Sequence, residues 1–371
     1  MTTRLDETAR AELERGRADA PTIKVVDLAY VRFAKPDLAA TARFAADFGL
    51  LPAAETAAAL YLRGYGGDHH CYIAERGAAA RFLGFALLAA DARDLERVAA
   101  LPGASAVEAV HEPGGGRRVR LTAPNGVAVD VVHGIASVPP TPMRPPLVAN
   151  FAAARPRRNA ALRPPLAAAQ VHRLGHVVLQ TRDHARMLSW LLRSFGLIVS
   201  DYQMLPAAPD AGPVIAFLRC DLGATPADHH SVALGAGFAE SFEHAAFEVQ
   251  DLDAVAMGGE YLRRQGWTRA WGVGRHILGS QIFDYWRDPE GQMLEHYADG
   301  DLFDASVPTG RTPFSRHGLA QWGPPLPSDF IDTSMTPRKA LQIVSAITGA
   351  GDFSLKKLVG MAKAMGRGAR G

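Results

Sequence analysis

The sequence predicts an α+β fold built from two similar halves, and three observations support it. In each half, short β-rich segments alternate with helical stretches of about ten residues. A proline-rich seam, residues 134–173, separates the halves. The halves also resemble each other, because FGL occurs at 48–50 and again at 195–197, and DLERV (94–98) is matched by DLDAV (251–255). Self-similarity at such a spacing indicates an ancient duplication.

The coarse pattern of each half corresponds to two βαβββ modules, which gives four in the chain. The strands LAYVRF (28–33) and HVVLQT (176–181) each precede a helical stretch that ends in FGL. Each half closes with a turn and a strand, in APNGVAVDVV (123–132) and DPEGQMLEHY (288–297). Proline presets φ at the first corner of such a turn, and glycine tolerates the positive φ that follows.

Composition shifts divide the chain into five segments. They are an N-terminal arm (1–20), a first domain (21–135), a Pro-rich linker (136–172), a second domain (173–330) and a basic C-terminal tail (331–371). Proline at the density of the linker prevents regular helix or central strand, so we expect it to lie on the surface. The tail has a weak helical period, for which we expect a surface helix with a disordered end, or docking on another subunit.

The composition excludes several classes of protein. Of 371 residues, 40 are Lys or Arg and 38 are Asp or Glu, so the formal net charge is only +2. A chain without a strong field of one sign is a poor partner for nucleic acid. The two cysteines, Cys71 and Cys220, are too few for a disulfide framework or a cysteine-rich zinc site, and they fit a reducing compartment. We expect no membrane segment or signal peptide, and therefore a cytoplasmic protein.

Two histidines and a glutamate on separate predicted strands form the strongest candidate for a metal site. His176 opens the strand HVVLQT, His244 opens HAAFEV, and Glu295 lies in QMLEHY after the PEG turn. If the two modules of the second half pack as one curved sheet, all three side chains can point into its hollow. Two neutral imidazoles and one carboxylate leave coordination positions open, as non-heme Fe(II) oxygenases require, although other divalent metals use similar ligands.

The alternation of side chains along a strand predicts which neighbouring histidines face the metal, except in the HH pair. Successive side chains of a strand face opposite ways, so His296 is expected to face away from a metal bound at Glu295. In HHSVAL, either His229 or His230 can be the inward residue by parity alone. His172 precedes the strand HVVLQT and His184 follows it in a polar turn, and we expect both at the surface.

His276 and Tyr285 complete the candidate site. His276 lies in the segment WGVGRHILGSQIFDYW, and Tyr285 precedes Glu295 by ten residues. A buried phenol or imidazole near a metal can donate a hydrogen bond to a bound oxygen. Taken alone, each residue has a simpler interpretation, Tyr285 as a core aromatic with a satisfied hydroxyl and His276 as a solvated loop histidine.

These residues together resemble a known family, the type I extradiol ring-cleavage dioxygenases of the vicinal oxygen chelate superfamily. The resemblance covers about residues 22 to 330 and is strongest in the second half. The motifs that carry it are RLGHVVL (173–179), HHSVAL (229–234), HAAFEVQDLDAV (244–255), GRH (274–276) and YWRDPEGQMLEHY (285–297). The resemblance implies two tandem vicinal-oxygen-chelate domains, each of two βαβββ modules that form a curved open barrel.

The resemblance also implies a role for each candidate residue. By position, His176, His244 and Glu295 match the ligands of a metal that is normally Fe(II) and sometimes Mn(II). The second histidine of the HH pair, His230, matches the acid–base residue of the family. Where some relatives carry an Asn-Asp pair beside the substrate, this chain has Leu278 and the following glycine, so its pocket differs there.

His276 and Tyr285 match residues that hydrogen-bond the substrate or its oxygenated form in the family. The implied activity is insertion of both atoms of O2 into a catechol-type ring next to the vicinal hydroxyls, in the degradation of aromatic compounds. The implied partners are this substrate and O2, and the implied assembly is a homo-oligomer.

The first half lacks most of this set, and we expect it to hold no metal. At the position of His176 it has Asp27 or a nearby residue, and the strand FLGFALL has no histidine where the second ligand would fall. Asp130 matches the carboxylate ligand, but one carboxylate cannot hold a metal alone. His69 and His70 match the HH pair of the second half, and we interpret them as relics of the duplication.

Two alternatives remain within the same superfamily. An enzyme similar to 4-hydroxyphenylpyruvate dioxygenase would act on a 2-oxo acid, but the HHS and GRH motifs and Tyr285 fit it poorly. A small-molecule binding protein would need a cleft but no complete metal triad.

Overall fold

The computed structural model describes residues 5–330, 336–349 and 351–366. Its first half contains α1 (Glu7–Arg15), β1 (Val25–Lys35), α2 (Leu38–Phe48), β2 (Leu51–Glu55), β3 (Ala59–Arg63), β4 (Tyr72–Arg76), β5 (Arg81–Ala89), α3 (Ala92–Ala99), β6 (Glu108–Ala109), β7 (Arg117–Thr122) and β8 (Ala128–His133).

The second half adds the remaining helices and strands. They are β9 (Val171–Thr181), α4 (His184–Phe195), β10 (Ile198–Met204), β11 (Pro213–Arg219), β12 (Ala227–Asp228), β13 (Val232–Ala236), β14 (Ser241–Val249), α5 (Leu252–Arg264), β15 (Thr268–Arg275), β16 (Ile282–Arg287), β17 (Met293–Ala298), β18 (Leu302–Phe303), β19 (Gly310–Pro313), α6 (Pro337–Thr348) and α7 (Leu355–Gly366). Two short 3-10 helices, Pro209–Ala211 and Arg316–Gly318, also occur.

Each half folds around one large, open sheet. The first sheet has eight strands in the order β2-β3-β4-β1-β5-β8-β7-β6, and the second has nine in the order β15-β16-β17-β14-β9-β13-β11-β10-β19. In both, the first strands of the two modules pair antiparallel at the centre, β1 with β5 and β9 with β14. The predicted α+β fold with four βαβββ modules is therefore confirmed.

The helices begin and end at residues that explain the repeated sequence motifs. An aspartate precedes each of the four module helices, and its carboxylate accepts a backbone N–H of the first turn, as N-cap residues do. These aspartates are Asp37, Asp91, Asp183 and Asp251. The glycine of each FGL motif ends a helix in the left-handed region, Gly49 at φ 102° and Gly196 at φ 66°. The motif therefore recurs because the same helix terminus recurs.

The two halves share a continuous apolar core. Phe48 of α2 lies against Phe247 of β14, and their ring centroids are 5.7 Å apart. Phe33 of β1 lies against Phe242, at 5.1 Å. The backbone between β8 and β9 forms no helix or strand, in keeping with its proline content.

The tail differs from the surface helix that its weak period predicts. In α7, Lys357 is buried at 1% exposure and pairs with Asp352, whose carboxylate also accepts the backbone N–H of His184. This helix packs on the second half, whereas Leu341 and Val344 of α6 are exposed. The end of the tail, for which disorder was expected, lies outside the described residues. Among the described residues, none of the helices combines the length and apolar character needed to cross a bilayer.

Candidate metal centre

Strand pairing brings the three candidate metal ligands to one face of the second sheet. On β14, Ala246 pairs with His176 of β9 on one side and with Glu295 of β17 on the other. His244 lies two residues before Ala246, and residues two apart on a strand share a face. The side chains of His176, His244 and Glu295 therefore meet although 119 residues separate the first from the last (295 − 176).

The three side chains form a compact cluster. Glu295 Oε2 lies 3.3 Å from His176 Nε2 and 3.2 Å from His244 Nε2, and the two Nε2 atoms are 3.4 Å apart. One ligand atom from each residue lies within 4.8 Å of the others. Two nitrogens and one carboxylate oxygen at these separations can surround a single divalent cation on one side.

The environment of Glu295 fits a bound cation. Its side chain is fully buried, and neither carboxylate oxygen accepts a hydrogen bond from a described residue. Burial opposes ionisation of this carboxyl, but the imidazoles of His176 and His244 beside it lower its pKa below the ordinary value. A buried carboxylate without hydrogen bonds is costly unless a positive charge lies next to it, and a divalent metal supplies that charge.

In the first half, the carboxylate that matches Glu295 has hydrogen-bond partners from the protein. In the first sheet, Ala86 pairs with Tyr30 and with Asp130, as Ala246 pairs with His176 and Glu295 in the second. The residue in the place of His176 is therefore Tyr30, one of the residues near Asp27 that the sequence left open. Tyr30 Oη donates to Asp130 Oδ2 at 2.9 Å, and Arg32 Nη1 lies 3.4 Å from the same oxygen. The absence of a metal from this half stays a prediction.

His230 lies beside the triad. Its ring centroid is 4.1 Å from that of His176, and its ring lines the same cavity. Burial, reinforced by the His176 imidazole, holds the pKa of His230 well below its usual range, so the ring is neutral at neutral pH. His229 lies behind it, with Nδ1 3.0 Å from Nδ1 of His230. Parity left these two residues undecided, and the structure places His230 on the cavity side.

His276 and Tyr285 form a hydrogen-bonded pair on the opposite wall. His276 Nδ1 donates to the Leu319 carbonyl at 2.7 Å, which leaves Nε2 to accept from Tyr285 Oη at 2.9 Å. Burial lowers the pKa of His276 and, together with the Glu295 carboxylate, raises that of Tyr285. Both groups are thus neutral, and both line the cavity beside the triad.

A cavity of about 250 Å³ leads from the triad to the C-terminal helix. Most of its wall is apolar, and the described lining residues include neither Lys nor Arg. The apolar lining residues are Val178, Val214, Ile215, Phe217, Ala233, Trp271, Leu278, Phe314, Leu319, Phe330, Met361 and Met365. Met361 and Met365 come from α7, so a segment expected at the surface forms part of the cavity wall.

Two other histidines test expectations drawn from the sequence, His296 from strand parity and His184 from its polar turn. His296 faces away from the triad as expected, and its Nε2 donates to the Phe48 carbonyl at 2.7 Å. The expectation of a surface position for His184 is wrong. This residue is fully buried, with Nε2 3.1 Å from the Leu234 carbonyl, because α7 and the loop before it cover the start of α4.

Some residues near the site were not identified from the sequence. Asp201 contacts His229, and Gln281 Nε2 lies 3.5 Å from Nδ1 of His176. Asp201 is the only charged residue of the strand IVSDYQM, and this isolated charge could have marked it as a candidate site residue. Nothing in the local sequence indicates that α7 reaches the cavity.

Comparison with known proteins agrees with this fold and site. A sequence model of the Glyoxalase/Bleomycin resistance protein/Dioxygenase superfamily matches residues 173–296, which contain all three candidate ligands. The chain is 32% identical over 336 residues to Metapyrocatechase 2 of Cupriavidus necator, covering 88% of this chain and 98% of that relative. The chain therefore belongs to this superfamily and, within it, to the extradiol ring-cleaving dioxygenases.

Two solved structures share the fold. Homoprotocatechuate 2,3-dioxygenase from Brevibacterium fuscum matches with a TM-score of 0.70 at 20% identity, over 85% of this chain and 84% of that one. A Mn(II)-bound glyoxalase from Novosphingobium aromaticivorans matches with a TM-score of 0.69 at 23% identity, over 85% and 96%. The resemblance derived from the sequence motifs is confirmed.

Proposed function

We propose that this protein is an Fe(II)-dependent extradiol dioxygenase that cleaves a catechol-type ring next to its vicinal hydroxyls, using O2. The observation that carries the proposal is the carboxylate of Glu295, buried without a hydrogen bond between two imidazoles at the end of an apolar cavity. His176, His244 and Glu295 would hold the metal. Fe(II) is proposed because two histidines and one carboxylate with open positions are typical of non-heme Fe(II) oxygenases, with Mn(II) as the alternative.

When bound, the metal supplies a Lewis-acidic centre that favours the ionised catechol and brings it next to O2. The apolar cavity excludes water from this reaction. His230 is placed to take a proton from a substrate hydroxyl and to return it later, because its neutral ring lies on the cavity side. In this proposal the metal site binds the substrate, and His230 transfers the proton.

The pair of His276 and Tyr285 is placed to stabilise negative charge on substrate oxygens. Tyr285 lies on the cavity wall with its ring centroid 5.0 Å from that of the ligand His244. Its O–H donates to His276 Nε2 over 2.9 Å in this structure, so we assign it to a substrate oxygen by a turn of the O–H from His276 to that oxygen. A hydrogen-bond donor beside developing charge in a buried site stabilises that charge.

The cavity favours a ring whose substituents are uncharged. Met361 and Met365 of α7 face the space beyond the triad, and Glu243 also lines it. A carboxylate on the substrate would meet no lysine or arginine among the described lining residues and would be close to a carboxylate. Burial of such an unpaired charge is unfavourable, whereas an alkyl or aryl group gains from apolar contact.

Oxygen uptake by the Fe(II)-loaded protein tests this proposal. We expect consumption of O2 and a yellow ring-opened product with catechol, 3-methylcatechol and 4-methylcatechol, and slower turnover of 3,4-dihydroxybenzoate. Removal of the metal with a chelator should stop the reaction, and reloading with Fe(II) or Mn(II) separately should show which ion restores it. Absence of oxygen uptake with every catechol and either metal would refute the proposal.

Two further proposals concern the location and the assembly of the protein. Cys71 and Cys220 are both buried and free, as expected for a protein of a reducing compartment, and we propose the cytoplasm. We also propose a homo-oligomer, as the family resemblance implies. The exposed Leu341 and Val344 of α6 are apolar surface that a subunit contact could cover. Light scattering from the purified protein measures the assembly directly.

A further inference from the structure

Asp201, His229 and His230 form a chain of side-chain contacts that ends at the cavity. Asp201 Oδ2 lies 2.9 Å from His229 Nε2, and His229 Nδ1 lies 3.0 Å from His230 Nδ1. The side chain of His229 is only 1% exposed. No candidate metal ligand takes part in these two contacts, and neither Asp201 nor His229 lines the cavity.

The chemistry of the three groups fixes where the ring protons lie. An ionised carboxylate can only accept, so His229 directs an N–H from Nε2 to Asp201, and in an imidazole with one N–H the other nitrogen, Nδ1, is an acceptor. His230 must then donate from Nδ1, which leaves its Nε2 unprotonated. Nε2 of His230 forms no hydrogen bond with any described residue, and the ring lines the cavity. A neutral histidine of this tautomer presents a lone pair to a substrate hydroxyl.

His229 is held firmly enough to enforce this arrangement. Its backbone N–H donates to the Asp301 carbonyl at 2.8 Å, and its own carbonyl accepts from Ser200 Oγ at 2.6 Å. Asp201 packs closely on Gly310, because a Cβ atom added at this glycine would lie 2.0 Å from Asp201 Oδ1. The glycine at this position therefore makes room for the carboxylate.

The duplicated half provides an internal comparison. His69 and His70 repeat the geometry of the HH pair, with Nδ1 atoms 2.9 Å apart and rings at 87°, against 3.0 Å and 89° in the second half. The two halves differ in the carboxylate behind the HH pair, because the position that matches Asp201 holds Ala54.

Strand register supports this match. In the first sheet Ala54 pairs with Tyr61, which contacts the second histidine of its pair at 5.4 Å between ring centroids. In the second sheet Asp201 pairs with Phe217, which contacts His230 at 5.1 Å. The carboxylate is thus found only in the half that also carries the metal triad, which links it to the reaction and not to folding of the HH turn.

We propose that Asp201 and His229 are positioning residues that keep the proton of His230 on Nδ1, so that its Nε2 is the basic nitrogen facing the substrate. The inference rests on the proposed function, in which His230 takes a proton from a substrate hydroxyl. When Nε2 receives that proton, the O–H bond of the substrate breaks and its electron pair stays on oxygen. The imidazolium still donates from Nδ1 to His229, and the nearby Asp201 carboxylate stabilises its charge.

The proton position can be measured without any turnover. In protein labelled with ¹⁵N-histidine and loaded with diamagnetic Zn(II), we expect the His230 resonances to show a protonated Nδ1 and a bare Nε2. The His230→Gln variant identifies these resonances by their disappearance. Protonation of Nε2 in the unmodified protein would overturn the inference, whatever the enzyme proves to catalyse.

Two variants test the functional consequence in the Fe(II)-loaded enzyme. Asp201→Asn and His229→Gln should each lower kcat about 10²-fold, the lower end of what general acid–base catalysis contributes. KM and metal content should stay unchanged, and the Nδ1–H signal of His230 should weaken. His69→Gln, the same change in the first half, should leave kcat and the His230 signals unaltered.

The outcomes separate this inference from the proposed function. If the unmodified enzyme cleaves catechols and Asp201→Asn and His229→Gln turn over equally fast, the inference is wrong and the proposed function stands. A parallel loss of metal in both variants would also contradict a role confined to His230. If the unmodified enzyme cleaves no catechol, the proposed function fails, while the resonances still decide the proton position.

Discussion

Lys35 of the first half forms a buried ion pair with Asp288 of the second. The Lys35 side chain is fully buried, and its Nζ also lies 2.9 Å from Glu290 Oε2. The Asp288 carboxylate accepts the backbone N–H groups of Glu290 and Gln292, in the turn that precedes β17. The first half is thereby linked to the turn that leads into the strand of Glu295.

Replacement of Lys35 by methionine should destabilise the protein. Removal of one partner leaves the Asp288 charge buried, which typically costs about 3–5 kcal/mol. The midpoint of thermal unfolding is the measurement, since a two-half protein need not unfold in two states. Arg93→Met breaks an exposed pair with Asp91 and should change the midpoint little, so equal shifts in both variants would contradict the importance of the buried pair.

Glu295→Gln should abolish retention of the metal and lower activity more than about 100-fold. Loss of a residue that only hydrogen-bonds a metal ligand already lowers metal affinity or activity about 10–100-fold, and loss of a ligand should cost more. The amide keeps the size of the side chain but loses the charge that faces the cation. Elemental analysis after dialysis and oxygen uptake measure the two effects. Asp130→Asn makes the same change at the matching position of the first half and should retain the metal, and a similar loss there would show that both halves bind it.

His230→Gln should keep the metal and lose turnover by about 10²–10⁴-fold, the usual share of a general acid–base group. The substitution removes a titratable ring that lines the cavity but leaves His176, His244 and Glu295 in place. Metal content, substrate binding without O2 and kcat are measured together. His70→Gln is the matched change in the first half, and a variant at His230 that turned over at the rate of the unmodified enzyme would disprove its role.

Met361→Arg should shift the substrate preference. An added guanidinium at the cavity wall would pair with a carboxylate on the ring and would remove apolar contact with alkyl groups. We expect kcat/KM to fall for 4-methylcatechol and to rise for 3,4-dihydroxybenzoate. Ala362→Arg adds the same charge at an exposed position of α7. Unaltered preference in Met361→Arg would show that the substrate does not reach this helix.

His184 should make the protein less stable as the pH falls. Burial, with Lys357 nearby, lowers its pKa to about 4 in the folded protein, whereas an unfolded histidine titrates at about 6.5. Between these values the unfolded chain binds the additional proton, so the stability decreases as the pH falls from about 6.5 towards 4. The unfolding midpoint of His184→Gln should depend less on pH over this range. His172→Gln, at an exposed position, is the control, and identical pH dependence of both variants would contradict the assignment.

Local signals in the sequence were sufficient for the modules and the candidate ligands. Turns, helix caps and the repeated FGL termini depend on residues close in the chain, so they are readable without the fold. His176, His244 and Glu295 could be selected because each lies on a predicted strand in a family motif. The match of His176 in the first half could be placed only at Asp27 or a nearby residue, because bulges between β1 and β5 shift the register, and the structure shows it to be Tyr30.

The sequence by itself determined two halves of two modules each, and the residue types able to bind a metal. Only the tertiary structure decided which other side chains contact the candidate site residues and line the cavity. Asp201 reaches His229 across neighbouring elements, and Met361 reaches the cavity from a helix more than 60 residues beyond Glu295 (361 − 295 = 66). Such contacts depend on how strands and helices pack, and periodicity along the chain carries no information about packing between distant segments.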